Sequence, residues 1–160
     1  MVDKGLLNWD TPLRELLPEF HHEDQTMEHG LTISDLLAHK SGFATSNNWW
    51  YGADGTLLLS KDQTIRSFSA LKSLGQLHTR YDYSNWNYAV LGEVIERKSG
   101  LSYGIYLHEK NLKPLGTART SVSRVSEKED DNIALPYAIL NDLSAYRLPL
   151  PRSEEGQGSS

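Results

Sequence analysis

The sequence predicts a mainly α-helical chain that carries a few short strands towards its C-terminal end. Helix-starting residues recur along the first part of the chain, and apolar residues within 84–98 repeat with a period of about 3.6 residues. After residue 117 the pattern changes, and polar residues alternate with β-branched ones. We therefore expect a helical body over about 1–117, a β-like extension over about 118–150 and a flexible tail over 151–160.

The first forty residues predict two short helices after an initial turn at residues 1–10. Asp10-Thr11-Pro12 can cap and open the first helix, because proline suits the first helical position, and Pro18 ends it. Thr32 followed by Asp35 resembles a capping box for the second, which Ser41-Gly42 ends. The expected apolar residues of these helices are Leu13, Leu16, Leu17, Leu36, Leu37 and Ala38.

Two longer helices are predicted in the middle of the chain. Ser60 and Gln63 fit a capping box, and the helix that they open is expected to end near Gly75. The clearest helix runs from about Ser84 to Lys98, and Gly100 is placed to terminate it. The expected apolar stripes are Ile65, Phe68 and Leu71 on the first helix, and Tyr88, Leu91 and Ile95, with Val90 and Val94 beside them, on the second.

The remaining elements are shorter. Ser102 is expected to cap a helix that carries Ile105, Tyr106 and Leu112 and stops at Pro114. The expected strands are 119–124, 133–140 and 145–148, with Asn141-Asp142 as a turn.

Composition excludes several classes of function. The chain has 160 residues, a net charge of −5 and no cysteine, so disulfides, zinc–thiolate sites and a cysteine nucleophile are excluded. The acidic balance argues against binding nucleic acid or an anionic membrane surface. No apolar run reaches the roughly 20 residues that span a bilayer. The N-terminus does not look like a signal peptide, so we expect a cytoplasmic protein if Met1 is the true start; otherwise its localisation is unknown.

The chain resembles one protein family in four collinear stretches. Residues 81–96, which begin with Tyr81-Asp82-Tyr83-Ser84-Asn85, are similar to the segment Y-S-N-x-x-Y-x-L-L-G-x-I-I-E of class C β-lactamases, penicillin-binding proteins and their esterase relatives. The other matching stretches are 31–43 (T-I-x-x-L-L-x-H-x-S-G), 99–103 with 112–116 (S-G-x-S-Y and P-L-G), and 7–12 with 17–20 (L-D-D-P-V and L-P-E-F).

The resemblance implies an α+β parent fold, in which an antiparallel sheet and a helical domain enclose the active site. This chain would supply mainly the helical domain. It also implies that Tyr83 is catalytic, as the proton-relay residue of an acyl-enzyme mechanism, and that Asn85 binds substrate. Free tyrosine, with a pKa of about 10, becomes a base only near cations or a neutral lysine. Ser84, as helix cap, would hold the turn rigid. No cofactor is implied, and the expected partner is a small ester or amide.

The chain departs from the family at the nucleophile. By resemblance, the S-x-x-K motif would fall just before Met1, and the third motif, Lys or His followed by x-Gly, would lie beyond Ser160. Ser69-Ala70-Leu71-Lys72 matches S-x-x-K literally, but it lies inside a predicted helix only 14 residues before Tyr83. We interpret it as a coincidental match.

Other chemistry-bearing residues have competing interpretations. Trp49 and Trp50 could line a substrate cleft and bind substrate, or pack a loop onto the helical body. His39 is expected to fasten its turn rather than move protons. His21-His22-Glu23-Asp24 with His29 is expected to be a solvated loop rather than a metal site, and Glu127–Asp131 a charged surface.

Three hypotheses about function follow. The first is part of a serine hydrolase that acts on ester or amide (lactam) bonds through an acyl-enzyme. The second is a catalytically dead remnant that binds a partner through exposed apolar surface. The third is a minimal active site made of Ser69, Lys72 and Tyr83. Whether the chain is an enzyme is left open, because the nucleophile motif is missing from its expected place.

Overall fold

The computed structural model describes residues 1–45, 59–117, 119–122 and 132–148. The described α-helices are α1 (Leu13–Leu16), α2 (Gln25–Gly30), α3 (Ile33–Leu37), α4 (Thr64–Ser69), α5 (Asn85–Ser99) and α6 (Tyr103–Leu107). Two short 3-10 helices span Val2–Lys4 and Lys61–Gln63, and a π-helical turn spans His108–Leu112. Strands β1 (Tyr137–Ile139) and β2 (Ala145–Arg147) form an antiparallel pair.

Helix α5 is the centre of the structure and packs against α3, α4 and α6. Its predicted bounds are confirmed to within a residue, and Gly100 ends it with a left-handed backbone at φ 70°. The predicted apolar stripe is partly wrong, because Tyr88 is half exposed. Trp86 and Asn87 turn inward at the start of the helix and set the buried face one position earlier. That face consists of Trp86, Asn87, Val90, Leu91 and Val94.

The N-terminal helices wrap one side of the core. Helix α1 follows Pro12 as predicted, and Thr32 caps α3 through the predicted capping box with Asp35. An antiparallel bridge between Pro12 and Thr32 ties the two helix starts together. Helix α3 ends at Leu37, four residues before Ser41, so the predicted extent was too long.

Helix α2 corrects the prediction of a solvated loop around His21–His29. Asp24 caps this helix by accepting a hydrogen bond from Thr26 N at 2.9 Å. Met27 lies in the core, and Glu28 is buried among polar partners. Because the helix has only six residues and Met27 is its single large apolar one, the sequence shows no apolar repeat there.

An aromatic cluster connects helix α4 to earlier parts of the chain. Phe68 lies 4.9 Å from Phe43 and 5.7 Å from Phe20, measured between ring centroids. Helix α4, which carries Phe68, ends at Ser69 rather than near Gly75. The chain then turns so that Ser73 pairs with Phe43 in an antiparallel bridge, which a continued helix would forbid.

The C-terminal part of the described structure is thinner. Ser102 caps α6 as predicted, by accepting from Ile105 N at 3.3 Å, but no residue of α6 is buried. Residues 119–122 do not form the predicted strand, whereas residues 123 and 124 lie outside the described residues. The two predicted strands do pair, with Ala138 opposite Tyr146, but the first is shorter than predicted because residues 133–136 and Leu140 lie outside it. Across the described ranges, no helix is both long and apolar enough to cross a membrane.

Candidate active site

The segment Tyr83-Ser84-Asn85 forms the entrance to α5. Ser84 has an extended backbone, with φ −144° and ψ 123°, and Asn85 is the first helical residue. Successive side chains of extended backbone point in opposite directions. Ser84 is therefore fully buried, while Tyr83 before it and Asn85 after it are both exposed. The buried side chains of Trp86 and Asn87 anchor the following turn. The buried side chains around them therefore hold the exposed side chains of Tyr83 and Asn85 in place.

The two residues that resemblance marks as functional are in direct contact. The Tyr83 hydroxyl donates a hydrogen bond to Asn85 Oδ1 at 2.9 Å. Thr45 Oγ1 also donates to the backbone carbonyl of Tyr83, at 3.0 Å. The exposed phenol can give and take a proton, and the neighbouring amide can donate a hydrogen bond to a carbonyl oxygen.

The turn that begins at His39 lies against this segment. Asp82 N donates to the carbonyl of His39 at 2.8 Å, and Ser84 N donates to His39 Nδ1 at 3.3 Å. Gly42 closes the same turn with φ 72°, and its carbonyl accepts from Leu74 N at 2.8 Å. The two motifs that the sequence separates by about forty residues are therefore one structural unit. The expectation that His39 fastens structure agrees with these contacts.

Ser84 does not act as predicted. It is the N-cap residue of α5, but its side chain makes no capping hydrogen bond. Asn87 N instead donates to the backbone carbonyl of Ser84 at 3.3 Å. Among the described residues, Ser84 Oγ and Asn87 Oδ1 are buried without a hydrogen-bond partner.

The literal Ser-x-x-Lys match is built differently from a nucleophile site. Ser69 is the last residue of α4, and Lys72 lies beyond the helix, so the two side chains are not successive on one helical face. Ser69 Oγ accepts a hydrogen bond from His21 N at 3.3 Å, and the Lys72 carbonyl accepts from Ala44 N at 2.9 Å. The structure thus gives Ser69 a role in fastening the segment before α2.

The histidine-rich segment near α2 forms a separate polar network. Glu28 is buried and accepts from Arg14, and its Oε1 lies 3.2 Å from His21 Nδ1. The hydrogen bond from His21, followed by one from His22 N and the charge of Arg14, lowers the pKa of Glu28 below its ordinary value, although burial opposes this. In the described part of the chain, no group of three His, Asp or Glu side chains is arranged to hold a metal ion.

Other predicted site residues lie elsewhere. Trp49 and Trp50 fall outside the described residues, as does Glu127–Asp131. Sequence reasoning also missed Asn87, whose amide Nδ2 lies 3.5 Å from His39 Nδ1. A polar residue on the predicted inward face of a helix, next to a candidate motif, was the signal available for it.

Comparison with known proteins places this geometry in context. The family model described as Beta-lactamase matches residues 1–159. Penicillin-binding protein 4* of Bacillus subtilis is 27% identical over 154 residues, which is 93% of this chain and 33% of that protein. An unguisins hydrolase of Aspergillus campestris is 29% identical over 161 residues, or 96% of this chain and 29% of that protein.

A solved structure has the same fold. The octameric penicillin-binding protein homologue from Pyrococcus abyssi matches with a TM-score of 0.79 and 24% identity, over 99% of this chain and 37% of that one. The chain spans about a third of the length of these relatives. Since the family model matches nearly the whole sequence, the chain belongs to the β-lactamase family.

Proposed function

We propose that this chain supplies the tyrosine and the asparagine of a serine-hydrolase site that cleaves ester or amide bonds, including lactams, through an acyl-enzyme. The observation that carries the proposal is the 2.9 Å hydrogen bond between Tyr83 and Asn85 at an exposed, rigidly supported helix start. Membership of the β-lactamase family, and relatives named penicillin-binding protein and hydrolase, support it.

The chemistry assigns one role to each side chain. In the acylation step a serine hydroxyl attacks the carbonyl carbon of the substrate and loses its proton to the Tyr83 oxygen, which must be deprotonated at that moment. The proton then passes to the leaving alkoxide or amine as the carbon–leaving-group bond breaks. Asn85 binds the substrate through its amide, and its Oδ1 accepts the hydrogen bond from Tyr83 while the phenol is protonated. Water later attacks the acyl-enzyme and releases the acid.

The nucleophile in this proposal comes from outside residues 1–160. Ser-x-x-Lys occurs only once in the sequence, and Ser69 and Lys72 are not arranged as one helical turn. The rest of the α+β architecture implied by resemblance would provide the nucleophile, since the chain spans about a third of its relatives' length.

Covalent labelling tests the proposal. The intact protein is incubated with a fluorescent penicillin and, separately, with a fluorophosphonate probe, and the labelled peptide is identified by mass spectrometry. We expect one labelled serine outside residues 1–160, and labelling that is competed by unlabelled ester substrate. If neither probe labels the protein, the proposal is contradicted. A label on Ser69 that Ser69→Ala removes would support the minimal site instead.

One observation favours a binding module as the second candidate. The β1–β2 hairpin exposes several large apolar side chains, and the largest exposed fractions are those of Leu143 (83%) and Ile139 (68%). Exposed apolar surface of this kind is commonly covered by other protein. If the protein does not react with the probes but self-associates, and Leu143→Asn weakens the association, the binding module is the better account.

A further inference from the structure

His39 combines an unusual backbone with contacts to the candidate site. Its φ is 54°, in the left-handed region that a residue with a Cβ atom rarely adopts. Its N–H donates to the Leu36 carbonyl at 3.3 Å, and its carbonyl accepts from Asp82 N at 2.8 Å. The residue is therefore fastened both to the end of α3 and to the residue before Tyr83. A disfavoured backbone conformation that its neighbours hold in place is typical of a residue at a functional site.

The imidazole ring contacts the start of α5 through one nitrogen. Nδ1 lies 3.3 Å from Ser84 N and 3.5 Å from Asn87 Nδ2. A backbone N–H can only donate, so Nδ1 must be the acceptor and carries no proton. The neutral ring therefore has its proton on Nε2. This hydrogen bond is made to the buried residue that lies between Tyr83 and Asn85.

Three tyrosine rings lie close to the same imidazole ring. The His39 and Tyr83 ring centroids are 4.6 Å apart, with the planes tilted by 46°. Tyr88 lies 5.2 Å away, and its hydroxyl donates to the Leu37 carbonyl at 3.3 Å. Tyr81 meets the ring edge-on at 5.7 Å. The phenol of Tyr83, although half exposed, therefore has one side supported by the imidazole.

We infer that His39 is a positioning residue for the Tyr83–Asn85 pair, acting as a neutral imidazole whose Nδ1 accepts the Ser84 N–H. The ring supports the phenol, while the hydrogen bond sets the backbone between the two functional side chains. The inference rests on the proposed function, because the positioned pair is the one assigned to proton transfer and substrate binding. A small displacement of such groups is costly, since 1 Å can reduce a rate by about a hundredfold.

Two substitutions of His39 separate backbone conformation from the hydrogen bond. Glycine accepts the left-handed backbone but removes both the ring and the acceptor. Asparagine also tolerates this backbone, and its Oδ1 lies one bond from Cγ, as Nδ1 does in histidine. In the intact protein we expect His39→Gly to lower the acylation rate by about tenfold to a hundredfold. We expect His39→Asn to recover a substantial part of that loss.

His78 provides the matched control. It too has a left-handed backbone, with φ 66°, but its Nδ1 lies 2.7 Å from Asp35 Oδ1 and not at the start of α5. His78→Gly is therefore expected to lower stability while leaving the acylation rate of the folded protein within about twofold of the wild type. All rates are measured on protein whose folded fraction is determined by circular dichroism.

Nitrogen-15 NMR of the imidazole tests the geometry without activity. We expect His39 in the wild type to show a bare Nδ1 and a protonated Nε2 at neutral pH. A protonated Nδ1, an unchanged rate in folded His39→Gly, or no recovery in His39→Asn would each overturn the inference. If the wild type does not form an acyl-enzyme, the proposed function fails, and the NMR result alone then decides whether His39 positions the segment.

Discussion

The Tyr83 hydroxyl donates a hydrogen bond to Asn85 Oδ1 at 2.9 Å, across a single buried residue, Ser84. This hydrogen bond joins the exposed side chains on the two sides of Ser84. The arrangement fixes the distance between a proton-carrying oxygen and an amide before any substrate is present. Such preorganisation is what a site for acyl transfer requires, because the groups need not be ordered during the reaction.

The turn at Gly42 is predicted to tolerate no side chain. Gly42 has φ 72°, and an added Cβ would lie 3.0 Å from Leu77 N and 3.2 Å from the Gln76 carbonyl carbon. Backbone atoms cannot move aside as a flexible side chain can. We expect Gly42→Ala to lower the free energy of unfolding by about 2–4 kcal/mol, from left-handed strain plus overpacking. Urea denaturation measures this.

Gly100 is the control for the turn at Gly42. It has nearly the same backbone, with φ 70°, but an added Cβ would meet nothing within 4 Å. Gly100→Ala should therefore cost only the conformational strain, about 1–2 kcal/mol. Equal losses in the two variants would show that close approach at Gly42 is unimportant.

The network around Glu28 is predicted to make the fold sensitive to acid. The hydrogen bond from His21, with His22 N and Arg14, lowers the pKa of Glu28 below its ordinary value of 4.5. A lowered folded-state pKa contributes stability that is present above the ordinary value and lost as pH falls through the folded-state pKa. Glu28→Gln should therefore melt at a lower temperature than the wild type at pH 7.

The pH dependence of this difference is the diagnostic result. We expect the melting temperatures of wild type and Glu28→Gln to converge as pH falls below about 4.5. Glu23→Gln, an exposed neighbour, should follow the wild type throughout. A difference between wild type and Glu28→Gln that stays constant from pH 3 to pH 7 would mean that the charge of Glu28 is not the source.

Glu93 on α5 is predicted to behave in the opposite way. Burial, with the charge of Glu96, raises the pKa of Glu93 above 4.5, although Lys61 acts against this. Ionised Glu93 therefore costs stability above its folded-state pKa, and that cost disappears at lower pH. Glu93→Gln should raise the free energy of unfolding at pH 7 by a few tenths of a kcal/mol, roughly, after solvent screening.

The comparison for Glu93 is Glu109, whose pKa is lowered by hydrogen bonds from Lys113 and His108. Glu109→Gln should shift the urea midpoint at pH 7 downward, whereas Glu93→Gln should shift it upward. The effect of Glu93→Gln should vanish below about pH 4. A downward shift for Glu93→Gln would show that the attraction of the Lys61 charge outweighs burial.

Local signals predicted much of the fold, because helix caps act over three or four residues. Thr32, Ser102 and Gly100 were placed correctly for this reason. The end of α4 was not, since it depends on the pairing of Ser73 with Phe43, thirty residues earlier in the chain. Tertiary contacts of that kind override helix propensity and leave no local pattern.

The candidate residues could be proposed from the sequence, but the contacts that support them could not be predicted. Resemblance marks Tyr83 and Asn85 as candidates, and in the structure their side chains are in contact. The left-handed backbone of His39 and its hydrogen bond to Ser84 could not be read from the sequence, because both arise from the packing of α3 against α5. The failure of Ser84 to cap α5 with its side chain has the same origin, since the residue is fully buried.

The acylation rate of Tyr83→Phe in the intact protein, followed with a fluorescent penicillin, tests the central claim most directly. Tyr137→Phe is the matched control, because Tyr137 is exposed to a similar extent, 54% against 51%. Phenylalanine keeps the ring contact with His39 and removes only the hydroxyl that carries the proton. We predict an acylation rate at least about a hundredfold lower for Tyr83→Phe and an unchanged rate for Tyr137→Phe. Equal acylation rates in Tyr83→Phe and wild type would contradict the assignment of Tyr83 to proton transfer.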